Sequence, residues 1–278
     1  MSVKIVVDST ADLTPAVKSR VEIIPLSVLF GEQEYKDGQT ITAEQFYDML
    51  VTSETLPTTS QPTPAAFEEV YQKLVDEGHE VVVITVSSKL SGTYQSATIA
   101  AVDFEGKVFV VDSRSAALGA GILTQYALEL VEKGLSGQQI LEDLMETRKK
   151  IRLYAIVDTL EYLKKGGRLS PAVAFVGGVL NLKPVITLDG GVINTVGKAR
   201  GSKAAFAMLT EACKGHGGVD FSMPVLLGYT GSSDEQLRKY MEASADLWSP
   251  DTAISIVGAT IGVHAGPGAV AVGFFSQE

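Results

Sequence analysis

The sequence predicts an α/β protein in which an N-terminal parallel sheet, with flanking helices and a hairpin insertion, is followed by a C-terminal mixed or antiparallel sheet with helices. Short runs rich in β-branched residues alternate with amphipathic segments through the first half, as in βαβ units. In the second half, an Asp-Gly-Gly turn lies between two apolar runs, which indicates a β-hairpin. The chain of 278 residues is also long enough to form two packed cores.

Four strands and four helices are predicted in the first half. The strands cover 4–7, 21–25, 81–86 and 107–111, and the helices lie near 43–52, 64–77, 93–102 and 116–133. The run Val81–Val86 is almost wholly apolar, as expected of a strand that is buried on both faces. Residues 26–40 interrupt this rhythm by alternating polar and apolar residues around Gly31, which predicts an inserted hairpin.

The second half begins after a helix at 136–149, and the division into domains is placed there, at 1–150 and 151–278. The predicted strands are 153–157, 182–188, 192–198, 223–229, 252–257 and 269–275. Since the turn at 189–191 joins two of them as a hairpin, the second sheet should not be purely parallel.

Composition excludes several classes of protein. A net charge of −10 and a pI near 4.9 argue against a nucleic-acid partner, because binding to phosphates needs clustered Lys and Arg. Cys213 is the single cysteine, which excludes an internal disulfide and a cysteine-based metal cluster and fits a reducing, cytoplasmic setting. With no apolar run near the ~20 residues needed to span a bilayer, we expect at most peripheral contact with membranes. Nothing in the sequence requires a cofactor.

The segment Ser87–Thr93 is the first candidate for binding chemistry. It joins a predicted buried strand to a helix start, where hydroxyls, free N–H groups and the helix dipole favour an anion. Ordinary helix capping by Ser and Thr explains the same residues and stays open. Polar residues also follow or precede other strands and helices, at Asp8–Thr10, Thr58–Pro62 and Asp112–Ser113, so several strand ends are expected to converge on one site.

Two further segments hold candidate residues. His264 lies among the glycines of 258–268, where it can donate a hydrogen bond to a carboxylate, although a glycine-rich turn with a structurally satisfied His is an equal alternative. Arg168 follows Gly166 and Gly167 and is placed to reach an anion, unless the turn is a solvated helix end. Ser91 lacks the Gly-x-Ser-x-Gly elbow of α/β-hydrolases, but a serine hydrolase using Ser91 and His264 remains an alternative.

These segments make the sequence similar to the DegV family of bacterial fatty-acid-binding proteins. The resemblance runs the length of the chain and rests on five ordered motifs: Asp8–Leu13, Thr59–Pro62, Ser88–Tyr94, Gly166–Ser170 and His264–Gly268. It implies a two-domain DegV-like fold with a long-chain fatty acid in an interdomain channel. The apolar stretches 179–182 and 270–272 are candidate lining of that channel, and the preferred acyl chain stays open.

The resemblance also implies roles for particular residues. Thr59 and Ser91 would bind the carboxylate directly, Arg168 and His264 would lie nearby, and the same motifs supply three more candidate ligand-binding residues: Ser60, Gly92 and Thr93. Family members act as the acyl-carrying subunit of a two-part fatty acid kinase. An ATP-dependent partner phosphorylates the bound carboxylate, and the acyl phosphate feeds phospholipid synthesis. The chain would then be a carrier and not itself an enzyme; a regulatory or scaffold protein that only senses the ligand is a third hypothesis.

Overall fold

The computed structural model describes residues 2–169 and 181–278. Ser170, Val179 and Leu180, which belong to segments singled out above, lie outside the described residues. The elements up to residue 150 are, in chain order, β1 (Val3–Asp8), α1 (Pro15–Lys18), β2 (Glu22–Ile24), β3 (Ser27–Phe30), β4 (Gln33–Lys36), α2 (Ala43–Thr52), β5 (Thr58–Ser60), α3 (Pro64–Asp76), β6 (Glu80–Thr85), α4 (Thr93–Ala100), β7 (Val108–Asp112), α5 (Ala117–Glu132) and α6 (Gly137–Thr147). They are followed by β8 (Ile151–Ile156), α7 (Glu161–Lys165), β9 (Leu182–Asp189), β10 (Val192–Arg200), α8 (Gly201–Lys214), β11 (Leu226–Tyr229), α9 (Glu235–Ala243), β12 (Ile254–Ile256), α10 (Ala259–Ala265) and β13 (Val270–Phe275).

The first sheet is wholly parallel, with strand order β2-β1-β6-β7. Its central strands are buried on both faces, because helices cover each side. On one face, Phe67 and Tyr71 of α3 pack against Val83 of β6. On the other face, Leu123 of α5 and Ile140 of α6 belong to the same core as the opposite side chains of the sheet. The predicted parallel sheet with flanking helices is therefore confirmed.

The predicted hairpin is present as β3 and β4, and it gains a third strand. The segment Thr58–Ser60, which the sequence places in a loop before a helix, pairs antiparallel with β3, and Thr59 lies opposite Val28. A strand of three residues leaves no periodic signal in the sequence. Its position follows from pairing with residues about thirty positions earlier in the chain.

The second sheet is mixed, with strand order β10-β9-β8-β13-β11-β12, and only β11 and β12 pair in parallel. This confirms the predicted mixed character and the hairpin at 189–191. All six strands come from beyond residue 150, whereas the parallel sheet lies before it. The division into two domains stays a prediction.

Within the glycine-rich segment 258–268, Ala259–Ala265 forms helix α10, and a turn follows at Pro267 and Gly268. Two buried carboxylates from the first half bind the start of α10: Asp12 accepts the N–H of Gly258 at 2.8 Å, and Asp37 accepts those of Ala259 and Thr260 at 3.1 and 3.0 Å. These contacts satisfy N–H groups that a helix leaves unpaired at its start. They also join α10 to the N-terminal half of the chain.

Within the described ranges, no helix has both the length and the apolar character needed to cross a membrane.

Candidate functional site

An apolar cavity lies between α10, the ends of the parallel strands and one face of the second sheet. Counting the solvent space at its open mouth, it encloses about 940 Å³. Alternate residues of β8 line it, namely Leu153 and Ala155, because successive side chains of a strand point to opposite faces. The intervening Tyr154 and Ile156 pack into a separate core on the other side. The cavity is further lined by Leu90, Ala116, Ala117, Ile186, Leu188, Ile193, Ile261, Ala265, Ala269 and Ala271.

Four of the predicted binding residues line this single cavity: Thr59, Ser91, Arg168 and His264. They come from four segments that are far apart in the sequence. The remaining three candidates do not line it. Ser60 is exposed on the far side of β5, Gly92 precedes α4, and Thr93 is buried beneath the loop.

Thr59 and His264 are in direct contact, with Thr59 Oγ1 lying 3.1 Å from His264 Nε2. The other ring nitrogen, Nδ1, is buried and has no hydrogen-bond partner among the residues described. Burial, and secondly the nearby Arg168 guanidinium, lowers the pKa of His264 from 6.5 to about 4, so the ring is neutral at pH 7. Gly166 lies against Nδ1, where an added Cβ would overlap the ring.

Ser91 lies in the loop between β6 and α4, and hydrogen bonds hold the backbone of this loop in place. Asp8 accepts the N–H of Val86 at 2.6 Å, and Ser87 O accepts the N–H groups of Leu90 and Ser91. The Ser91 hydroxyl lies 2.9 Å from Thr93 Oγ1, which leaves it further capacity for a ligand. A Cβ at Gly92 would overlap the amide of Gln61, so a larger residue there would require the Gln61 side chain to move.

Arg168 follows the turn that ends α7, where Gly167 adopts a positive φ of 70°. Its Nε donates to Leu90 O at 3.1 Å and its Nη1 donates to Gly166 O at 2.6 Å. These two carbonyls hold the guanidinium at the mouth of the cavity, beside both the Ser91 loop and His264. The turn with an Arg at its end was predicted from the sequence, but not its contact with Leu90.

A second, polar depression opens next to the cavity, and we term it the outer groove. It is lined by Glu54, Thr55, Leu56, Pro57, Thr58, Thr59, Tyr162, Lys165, Gly166, Arg168, Val263 and His264, and its volume is about 1060 Å³ counting its open side. Thr59, Arg168 and His264 line both spaces. They therefore stand where an apolar interior meets a polar surface groove.

The contacts of a Ser-His-Asp triad are not formed. His264 Nε2 is paired with Thr59 and the Ser91 hydroxyl with Thr93. Asp8 accepts hydrogen bonds from Thr10 and Val86, and no bond to His264 is present among the described residues. This arrangement suits the binding of a carboxylate better than the activation of a serine.

Sequence reasoning missed Gln61, Gly166 and Leu90 as supports of the site. Gln61 and Gly166 lie inside motifs that drew attention for other reasons, but only the folded chain shows what they touch. In the described ranges, no group of three or more His, Cys, Asp or Glu side chains is placed to hold a metal ion.

Comparison with known proteins gives consistent relatives over the whole chain. A family model described as an uncharacterised protein of the DegV family matches residues 2–277. A DegV domain-containing protein of Deinococcus radiodurans is 38% identical over 278 residues, which cover 98% of each chain.

Solved structures match equally fully. A DegV family protein of Thermus thermophilus, described for its fatty acid binding, has a TM-score of 0.89 and 34% identity, and the match covers 100% of both chains. A stearic acid-binding protein of Eubacterium ventriosum has a TM-score of 0.84 and 30% identity, covering 100% of this chain and 99% of the other.

Proposed function

The chain belongs to the DegV family, and on that premise we propose that it binds one long-chain fatty acid and presents the carboxylate to a separate ATP-dependent kinase subunit. The observation that carries the proposal is the junction at Thr59, Arg168 and His264, where an apolar cavity meets a more polar groove. An amphipathic ligand with a long tail and one anionic end matches this junction. Similar proteins are described as fatty-acid-binding, one of them for stearic acid.

The tail supplies most of the binding free energy. Each methylene that leaves water gains about 0.8 kcal/mol, so a saturated tail of ~15 methylenes gains roughly 10 kcal/mol before the costs of association are subtracted. The apolar side chains of β8, β9 and β13 provide the surface for it. If the division at residue 150 holds, this channel is interdomain, because Ser91 and Ile186 line it from opposite sides of that boundary.

The head group needs hydrogen-bond donors, since an unpaired buried carboxylate costs several kcal/mol or takes up a proton. Thr59 and Ser91 each offer a hydroxyl, and Arg168 adds a positive charge nearby. For Thr59 to donate to the carboxylate, its oxygen must accept from His264, so Nε2 carries the ring proton. Nδ1 then holds an unshared pair, and no acceptor among the described residues is placed to take a proton from it. His264 is thus a positioning residue for the Thr59 hydroxyl.

The chemical step belongs to the partner. A carboxylate oxygen attacks the γ-phosphorus of ATP, the bond from that phosphorus to the β–γ bridging oxygen breaks, and ADP leaves with the electron pair. The carboxylate must therefore stay reachable, and its position beside the outer groove allows this. The resulting acyl phosphate feeds phospholipid synthesis, which is in keeping with a cytoplasmic carrier that touches membranes at most peripherally.

Native mass spectrometry of the purified protein, followed by solvent extraction, tests the binding proposal. We expect a mass increment equal to one fatty acid. The fraction of protein that carries it should be smaller in Ser91→Ala and in the isosteric Thr59→Val. A clean apo mass that persists after incubation with palmitate would contradict fatty acid binding. Labelling of Ser91 by a fluorophosphonate would instead favour the hydrolase.

The kinase role is tested separately by following acyl phosphate formation with a purified kinase subunit and ATP. Because a guanidinium can meet a phosphoryl group through two parallel hydrogen bonds, Arg168→Ala should reduce phosphorylation more than it reduces binding. Equal losses of both would contradict a role of Arg168 in the phosphoryl step. No acyl phosphate with any supplied subunit would favour a regulatory protein.

A further inference from the structure

The residues that line the outer groove include more cationic than anionic side chains, unlike the chain as a whole. Two cationic side chains line it, Lys165 and Arg168, against one carboxylate, Glu54. The protein as a whole has a net charge of −10. A local excess of positive charge in a concave polar surface favours an anionic ligand there.

Hydroxyl groups complete the lining of the groove. Thr55, Thr58 and Tyr162 each contribute a side chain that can donate a hydrogen bond. Burial, and then the nearby carboxylates of Glu161 and Asp158, raises the pKa of Tyr162, so its hydroxyl is protonated at neutral pH. Its ring is held close to Gly266, where an added Cβ would overlap it. These groups are neutral donors, which suit a phosphoryl oxygen as well as they suit water.

Lys165 is the cation that the carboxylate site does not use. It lies in the last turn of α7 and is exposed. No ion pair within 4.0 Å in residues 2–169 and 181–278 includes it; Glu161, one turn earlier on α7, is the acidic residue nearest to it along the helix. Lys164, its neighbour, is equally exposed but does not line the groove.

We infer that the outer groove is a phosphoryl-binding site, with Lys165 as its principal cation, that holds the phosphate of a bound acyl phosphate. This rests on the proposed function, which places the carboxyl carbon at Thr59 and His264 and the tail in the apolar cavity. A phosphoryl group attached to the carboxylate extends away from the tail. The groove is the polar space that shares Thr59, Arg168 and His264 with the cavity. The protein would then retain the phosphorylated product as well as the acid.

The test compares two ligands with the same tail. Palmitate probes the carboxylate site. The oxoheptadecyl phosphonate in which a methylene replaces the bridging oxygen of palmitoyl phosphate probes the groove, and it cannot hydrolyse. Affinities are measured by displacement of a fluorescent fatty acid from the full chain. We expect Lys165→Met to lower the ratio of phosphonate to palmitate affinity about tenfold, as for loss of one partly exposed charge-assisted hydrogen bond. Lys164→Met, which removes the same charge next door, should leave the ratio unchanged.

Further readouts separate this proposal from the one on which it rests. Lys165→Arg should restore most of the ratio, and added salt should weaken phosphonate binding more than palmitate binding. The phosphoryl site would be overturned if Lys165→Met had the same ratio of phosphonate to palmitate affinity as the wild type. It would also be overturned if Lys165→Met and Lys164→Met lowered that ratio equally. If the wild type binds palmitate but not the phosphonate, the phosphoryl site is overturned as well, whereas the carrier function is not. Failure of both ligands to bind the wild type would instead refute the carrier function.

Discussion

Replacement of His264 by Phe tests the contact on which the carboxylate site depends. Phe keeps a ring of similar size but removes the Nε2 donor that lies 3.1 Å from Thr59 Oγ1. The Thr59–His264 bond is also present in the free protein, so its loss lowers stability. The loss for binding is the orientation in which the Thr59 hydroxyl donates to the carboxylate, a charge-assisted hydrogen bond of about 2 kcal/mol. This corresponds to palmitate binding about 30-fold weaker.

Two further variants separate the hydrogen bond from the volume of the ring. The amide nitrogen of His264→Gln reaches about as far as Nε2, so this variant should bind within about threefold of the wild type. His264→Asn is shorter and ends near the position of Nδ1, so it should stay weak. The assay is displacement of a fluorescent fatty acid by palmitate, with thermal unfolding of each variant to verify that it folds.

The pH dependence gives an independent check on the neutral ring. Because burial lowers the pKa of His264 to about 4, wild-type affinity for a ligand that stays ionised should be flat between about pH 5.5 and 8. A transition near pH 6.5 that is absent in His264→Gln would show a ring that titrates normally. That result, or equal affinities of the Gln and Asn variants, would refute the role given to Nε2.

Three other predictions use different parts of the site. Ser91→Ala should weaken palmitate retention about tenfold without lowering the melting temperature by more than about 2 °C, because in residues 2–169 and 181–278 its hydroxyl contacts only Thr93, two positions along the chain; unchanged retention would remove Ser91 from the site. Gly166 has an ordinary φ of −74°, so Gly166→Ala should impair binding only through overlap with His264; in a His264→Ala background it should cost nothing further, and additive losses would contradict this. Burial, opposed by the bond from Gly258 and reinforced by the Asp37 charge, raises the pKa of Asp12 well above 3.8. The folded state thus holds its proton more tightly, and stability falls as the pH rises from about 4 toward neutrality. Asp12→Asn should flatten that fall in urea unfolding, and an unchanged slope would count against it.

The parallel sheet could be predicted because its strands are short β-branched runs that tolerate burial on both faces. Helix α10 could not. Gly262 lowers its helix propensity by about 1 kcal/mol, and the groups that hold its start, Asp12 and Asp37, are more than 200 residues away in the sequence. Strand β5 was not predicted for a related reason, because its three residues are too few to show a periodic pattern and they pair with a hairpin that is distant in the sequence.

The candidate site shows the same division between local and distant information. The sequence places hydroxyls and an Arg at strand and helix ends, and Thr59, Ser91, Arg168 and His264 do meet at one cavity. Ser60, Gly92 and Thr93, which lie close to these four in the sequence, do not line the cavity with them. In a strand, adjacent side chains point to opposite faces, so Ser60 turns away from the cavity that Thr59 lines. The contact of Thr59 with His264 spans 205 residues and has no local signature.

The energetic imbalance between tail and head group determines which measurement is most sensitive. The tail contributes roughly 10 kcal/mol before costs, whereas each head-group contact contributes about 1 to 2 kcal/mol. Loss of one head-group contact therefore leaves most of the acid bound. Phosphoryl transfer is less tolerant, because the reacting atoms must approach to about 3–3.5 Å in the right orientation. A carboxylate that is still bound but no longer oriented by Thr59 and Ser91 would be a poor nucleophile, so head-group variants should lose more in acyl phosphate formation than in retention.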